Sequence, residues 1–316
     1  MLPPTSSNRK RTAMTILLHQ YDSSPFSEKV RVCLGIKQLA WAAVDQPVIM
    51  PKPDLLALTG AYRRIPVMQI GADIYCDSVL IVRELERRFP SPSLFPTGST
   101  GLDQALAQWT DRSFFQAAVG VIFGGLGDKV DPAFRADREK LSGAPFNPEA
   151  MAAAVPYMAA QLRSHAALVS DQLADGRAFL TGDRPGLADA NAFYNLWFVR
   201  SFHAPAADAF LDLPGLSAWY DRVVAIGHGD RGAATREDAI AAARDATPAP
   251  ASVDPADQAL AGRTVTVAAT DYGRDPVTGR IVGSSPHHWS IAREDDRAGS
   301  VVVHLPRLGF ALTPAH

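Results

Sequence analysis

An α/β unit, then an all-helical unit, then a small β-rich unit is the architecture this 316-residue sequence predicts. Three observations carry it. Residues 14–95 alternate short β-branched runs with helical periodicity in the order βαβα then ββα. From about residue 100 to 246 apolar residues recur only at helical spacing, and after the proline-rich stretch TPAPASVDP the period becomes that of short strands.

In the first unit, residues 15–19 (TILLH) form an apolar run suited to a buried strand, and Ser24-Pro25 ends it before Phe26, Val30 and Cys33 recur at helical spacing. A second strand is expected at 41–44, separated by Pro47, Pro51 and Pro53 from a short helix near 54–58. Pro66 opens a strand at 67–70, and Gly71-Ala72 turns it into a returning strand at 73–75. The helix that follows is capped by Asp77 or Ser78, carries Ile81, Val82, Leu85 and Phe89 on its apolar stripe, and stops at Pro90 and Pro92.

Helices are expected in the second unit at 102–121, 149–173 with a break or kink at Pro156, 188–198 and 216–226. Gly124, Gly125, Gly127, Pro132, Pro145 and Pro148 read as a long irregular connection between the first two. Residues 247–256 read as a linker, and 257–316 as a β-rich unit with strands at 264–267, 280–282, 289–293 and 301–305.

Composition excludes several classes. The net charge of -2, with 47% hydrophobic and 20% charged residues, gives no polyelectrolyte signature for nucleic acid or anionic membrane. No run approaches the ~18 apolar residues of a membrane span. Residues 1–13 hold Arg9, Lys10 and Arg11 with no apolar stretch behind them, so they read as a disordered leader and not a secretory signal; a start at Met14 would explain them equally well. Cys33 and Cys76, the two cysteines, are too few for a disulfide framework, which points to the cytoplasm. Both sit where small core hydrophobes belong. His287 and His288, adjacent on an expected strand, point to opposite faces, and no metal is expected. GxGxxG, GxSxG and HExxH are absent, so neither a nucleotide cofactor nor these hydrolase chemistries have support.

The segments TILLHQYDSSPFSEKVR and RRIPVMQIGADIYCDS together resemble the N-terminal half of the glutathione transferase family in motif order and spacing. The resemblance implies a thioredoxin-like domain at 14–95 and a helical-bundle domain at 100–246, with the C-terminal unit outside the common pattern. It implies glutathione as cosubstrate, Ile65-Pro66 as a cis-proline turn at the glutathione cysteine, and Asp77-Ser78 as the pair receiving its γ-glutamyl end. Asp77 stands where the family more often has Glu, and Gly186 stands where it often has a capping Ser or Thr three residues before Asp189.

Ser24 falls where the family places its catalytic Ser or Cys. A free thiol has a pKa of about 8.5, and a hydroxyl donor plus a helix N-terminus favour the thiolate that attacks electrophiles. Ser24 would then donate a hydrogen bond to the glutathione sulfur; it also has the ordinary role of capping a helix, and Ser23 and Ser27 compete with it for the position facing the thiol. With serine at both 24 and 27 there is no dithiol for thioredoxin-like exchange. Trp109, Arg112, Phe114 and Phe115 lie on a helix that lines the electrophile pocket in relatives and carry no assignment. The expected activity is conjugation, or a glutathione-dependent lyase or isomerase step, on a small electrophile by a homodimer of the detoxifying type. The alternative is a non-catalytic glutathione-binding or scaffold protein whose β-rich unit is its interaction surface.

Overall fold

A computed structural model describes residues 15–315, so the leader expected at 1–13 lies outside the described residues. The first unit runs β1 (Leu17–Gln20), α1 (Pro25–Ile36), β2 (Ala40–Asp45), α2 (Pro53–Thr59), β3 (Val67–Ile70), β4 (Asp73–Cys76) and α3 (Ser78–Arg88). β1 pairs in parallel with β2 and antiparallel with β3, and β3 turns antiparallel into β4. Side chains alternate across this sheet as the pleat requires. Ile16, Leu18, Met68 and Ile70 pack on one face with Val30 and Leu34 of α1 and Leu80, Ile81 and Leu85 of α3.

The helical unit comprises α4 (Thr100–Trp109), α5 (Phe115–Leu126), α6 (Pro132–Ser142), α7 (Pro148–Gln172), α8 (Leu187–Phe202), α9 (Ala204–Leu211) and α10 (Leu216–Ile226). Where one helix was expected over 102–121, a π-helical turn at Thr110–Phe114 separates α4 from α5. The connection expected to be irregular contains α6. Its start and stop signals are local: Asp131 accepts from Phe134 N at 3.0 Å, Pro132 is the first helical residue, and Gly143 closes it in the left-handed conformation at φ 75°. α7 runs unbroken through Pro156, which lies on an exposed face where water can satisfy the backbone carbonyl the proline leaves unbonded.

Gly186 is explained by space. A Cβ there would lie 2.8 Å from Pro96 Cδ and 2.9 Å from Leu94 O, so no capping side chain fits. Asp189 supplies the remaining half of the box, accepting from Gly186 N at 2.9 Å, and also accepts from Leu180 N and Trp219 Nε1, each at 2.8 Å. Burial raises the pKa of this carboxyl against the three donors that lower it.

The C-terminal strands do not form a separate layer. β5 (Asp230–Ala233) adds in parallel to β2, α11 (Arg236–Arg244) crosses a sheet face, and β6 (Thr264–Ala269), β7 (Val277–Ser284), β8 (His288–Asp295), β9 (Gly299–Pro306) and β10 (Phe310–Pro314) follow. β9 pairs in parallel with β4, giving one ten-stranded sheet in the order β10-β6-β7-β8-β9-β4-β3-β1-β2-β5. The strand that would be an open edge of the first unit is thereby covered. A buried polar chain marks the seam: His304 Nε2 lies 3.0 Å from Asp73 Oδ1, His304 Nδ1 lies 2.9 Å from Ser290 Oγ, and the Tyr75 ring stacks on His304 at 4.3 Å. Leu55, Leu58, Val67 and Ile74 share one core with Ile240, Ala243, Val265, Ile291 and Val303, so the two ends of the chain bury apolar surface against each other. Residues of the 247–256 stretch are hydrogen-bonded into this assembly, Ala249 N to Asp73 Oδ2 at 2.9 Å and Ser284 N to Ser252 O at 3.0 Å.

Candidate functional site

Ser24 is the N-cap of α1. Its backbone is extended, its Oγ accepts from Ser27 N at 3.2 Å, and Pro25 takes the first helical position, where a missing N–H costs nothing. The residue is buried, Ser23 is half-buried, and the Ser27 hydroxyl is fully buried with no hydrogen-bond partner among the described residues. Tyr21 lies beside Ser24. Burial pushes its pKa up, and hydrogen bonds from Arg138 and Ser24 partly offset that.

A cationic cluster covers this end. Lys52 donates to Arg63 O at 3.3 Å and stands 5.7 Å above the Tyr21 ring; burial, then Arg138 and Arg63, pull its pKa down to about 8. Arg63 is paired with Asp137 of α6, and Asp137 also accepts from Met50 N at 3.1 Å. Arg138 reaches Val48 O at 3.3 Å. The helix that sequence periodicity did not reveal therefore roofs the loop before α2.

The Ile65–Pro66 peptide is cis, and beyond the hairpin Asp77 caps α3. Asp77 has φ 76° and ψ 136°, a positive-φ conformation outside the left-handed helical well that a non-glycine residue holds only under strain, and its Oδ1 accepts from Val79 N at 2.9 Å. Ser78, the first residue of α3, is buried. Ile65, Pro66, Asp77, Ser78, Phe26 and Arg64 line one side of a cleft of about 90 Å³. Asp111 and Arg112, on the π turn, form the second side, and the β-rich unit supplies the third through Asp271, Tyr272 and Phe310. Ser24 is not on the wall of this cleft, so the structure brings four of the five residues expected at the site into one cavity and leaves the fifth buried at the N-cap of α1, two residues before Phe26, which does line it.

Burial raises the pKa of Asp77, and the neighbouring Asp111 raises it further, against the Val79 N–H, Lys29 and Arg64. Asp111 is fixed from two sides, by Lys29 Nζ at 2.9 Å and by the Tyr194 hydroxyl at 2.9 Å. π turns of this kind recur at functional sites, where the extra residue re-aims side chains. Of the helix residues left without assignment, Arg112 lines the cleft, Phe115 packs on Phe26 at 4.7 Å, Phe114 is buried core, and Trp109 donates to His165 Nδ1 at 3.0 Å. Both cysteines are buried, and burial pushes the Cys33 thiol up to about 12 and Cys76 well above its ordinary value, so neither is a thiolate near neutral pH. Among the described residues no group of His, Cys, Asp and Glu has the geometry of a metal site, and no helix is long and apolar enough to cross a membrane.

Lys52, Arg64, Asp111, Asp271 and Tyr272 were missed by sequence reasoning. Arg63 and Arg64 directly precede Ile65-Pro66, a basic pair that could have been read as anion-binding. Nothing local announces the others: Lys52 sits at the start of α2, Asp111 reaches the site from the helical unit, and Asp271 and Tyr272 reach it from the β-rich unit.

Comparison with known proteins matches the N-terminal domain of glutathione S-transferases at residues 18–93 and their C-terminal domain at 81–222. The structure is similar to that of a GST-like protein from Pseudomonas syringae, with a TM-score of 0.78 and 37% identity over 96% of this chain and 100% of that one. That coverage extends into the C-terminal strands. A glutathione S-transferase from Rhodospirillum rubrum F11 shows 25% identity and a TM-score of 0.51 over 66% of this chain and 87% of its own. Among curated proteins, glutathione S-transferase U13 of Arabidopsis thaliana is 32% identical over 114 residues, 34% of this chain and 49% of that protein. A probable glutathione S-transferase of Solanum tuberosum is 29% identical over 86 residues, 27% of this chain and 39% of that protein, so the chain spans less than half the length of these curated relatives.

Proposed function

Because this chain belongs to the glutathione transferase family, we propose that it binds glutathione and activates its thiol for attack on a small electrophile, by conjugation or by a glutathione-dependent lyase or isomerase step. The observation that carries the reading is the cleft joining Ile65-Pro66 to the Asp77-Ser78 helix start. An extended peptide ligand would pair with the Ile65 backbone, place its ammonium against Asp77, and set its carboxylate on the N-terminus of α3 near Ser78. Arg64 adds a guanidinium to the same wall.

Ser24 is assigned as the donor to sulfur. Its oxygen accepts from Ser27 N, its O–H, which is directed to the Tyr21 phenol in the unliganded chain, would turn to the sulfur, and the N-terminal end of α1 adds positive potential. A thiol pKa lowered by about two units corresponds to ~2.7 kcal/mol of thiolate stabilisation. Ser24 is thus a hydrogen-bond donor and forms no covalent intermediate. Family membership also supports a homodimer, a cytoplasmic location and a detoxifying role; sedimentation of the purified chain checks the first.

A second reading, a glutathione-binding or scaffold protein without turnover, is favoured by one observation: Ser24 is buried and is not among the residues that line the cleft. Ultraviolet absorbance of bound glutathione thiolate, titrated from about pH 5 to 9 in wild type and Ser24→Ala, separates the two. The transferase reading expects a thiolate signal persisting well below the free-thiol pKa in wild type and lost in the variant. Binding without that signal favours the scaffold, and no binding at millimolar glutathione sinks both.

A further inference from the structure

The cleft over Ile65 and Asp77 has a roof that comes from the far end of the chain. Residues 270–276, between β6 and β7, and the turn at 307–309, between β9 and β10, are tied together, since Thr270 N and Oγ1 donate to Gly309 O at 2.9 and 3.1 Å. The first of these loops also bonds α6, Gly273 N to Leu141 O at 2.6 Å. Gly273 is required at the bend: its φ is +53°, and a Cβ would lie 2.8 Å from Leu141 Cδ1.

Two side chains reach from this loop into the first unit. The Asp271 carboxylate is paired with the Arg64 guanidinium, and the Tyr272 ring lies face-on to that guanidinium at 3.9 Å, with Phe310 further out at 5.9 Å. The Tyr272 phenol shares the cleft wall with Asp77 and Asp111, and burial, the largest cause, pushes its pKa up to about 12. It therefore stays a neutral hydroxyl beside two carboxylates, where a ligand ammonium would go. Arg64 uses only part of its fork, because its buried Nε has no partner among the described residues. A bidentate ligand carboxylate would satisfy it better than Asp271 does.

We infer that residues 270–276 gate the cleft, with Asp271 and Tyr272 acting as internal occupants that an amino-acid-type ligand must displace to reach Arg64 and Asp77. The inference rests on the glutathione reading of the same cleft. The lock faces water: the Asp271 side chain is 44% exposed while that of Arg64 is 10% exposed, so the ion pair is screened on one side and readily exchanged. A gate of this kind lowers the apparent affinity by the fraction of molecules that are closed, without changing the contacts made once the ligand is in.

Calorimetric titration of reduced glutathione into wild type, Asp271→Ala and Tyr272→Ala tests this, with hydrogen exchange of residues 270–276 followed in wild type. The expected result is binding about tenfold tighter in both variants, or binding in them alone, together with faster exchange in the loop when wild type is saturated. Unchanged or weaker binding in the variants, with the loop protected by ligand, overturns the gate and leaves the glutathione reading intact, because the roof then closes on the ligand. If the two variants disagree, Asp271→Ala decides, since Tyr272 also packs on Arg64 and circular dichroism must first show that its removal leaves the fold unchanged. Absence of binding in all three folded chains overturns both the gate and the glutathione reading.

Discussion

α1 and α3 begin in the same way, with a side-chain oxygen of the capping residue accepting a backbone N–H, yet their surroundings are opposite. Ser24 brings a neutral hydroxyl into a neighbourhood of Lys52, Arg63 and Arg138, with Asp137 the acid among them, under a roof made by α6. Asp77 brings a carboxylate beside a second one, Asp111, under a roof made by the β-rich unit. The cap chemistry is local, and the character of each end is long-range. The cationic end suits a thiolate or a carboxylate, whereas the acidic end suits an ammonium; under the proposed glutathione reading, the two ends of one extended ligand would be told apart by elements distant in sequence.

The largest effect that tests this contrast lies at Asp111. Asp111→Ala leaves the Lys29 ammonium, whose side chain is 1% exposed, buried without its partner, and the expected cost is about 3 kcal/mol or more in urea unfolding. Lys29→Met should cost distinctly less, because Asp111 is 18% exposed and keeps the Tyr194 hydroxyl. Equal losses in the two variants would mean that the acidic end is not organised around this pair.

The sequence made one half of the contrast legible and hid the other. Strand, loop and helix punctuation around Ser24-Pro25, Pro66, Gly71 and Asp77 is local chemistry, and the elements of the first unit fall close to where those residues place them. The β-rich unit was legible as strands and illegible as a continuation of the sheet, because pairing of β9 with β4 joins residues more than 200 positions apart and is stabilised by Asp73, His304 and Ser290, none of which forms a motif. α6 had its cap signals in plain view, Asp131-Pro132 and Gly143, but the glycines and prolines on either side outweighed them. The π turn that carries Asp111 has no sequence signature at all.

A middle-sized effect separates the two caps. Asp77→Asn retains an oxygen for Val79 N–H and removes the charge, so glutathione should bind about tenfold to a hundredfold more weakly with little change in melting temperature. Ser24→Ala should do the reverse, lowering stability by about 1 kcal/mol through the lost cap while affinity falls no more than about threefold. Calorimetry and thermal melts on the same two proteins check both. A larger affinity loss at Ser24 than at Asp77 would break the division of labour between the two ends.

The smallest effect is the one with the sharpest sign. Burial and Asp111 hold the folded-state pKa of Asp77 above its ordinary carboxylate value, so in the window between the two values the folded chain binds more protons than the unfolded one. Asp77 therefore adds stability as pH falls through that window, the same fall in pH that protonates it and weakens its hold on a ligand ammonium. Other groups titrate nearby, His19 among them, whose pKa burial lowers to about 4 and whose contribution to stability falls as pH drops below its unfolded value. The difference between wild type and Asp77→Asn cancels them. Acidification from neutral pH should thus raise the stability of the unliganded wild type relative to Asp77→Asn while eroding its advantage in glutathione affinity. If stability and affinity instead fell together, Asp77 would have a depressed pKa and a cationic partner stronger than Asp111, and the acidic end would resemble the Ser24 end after all.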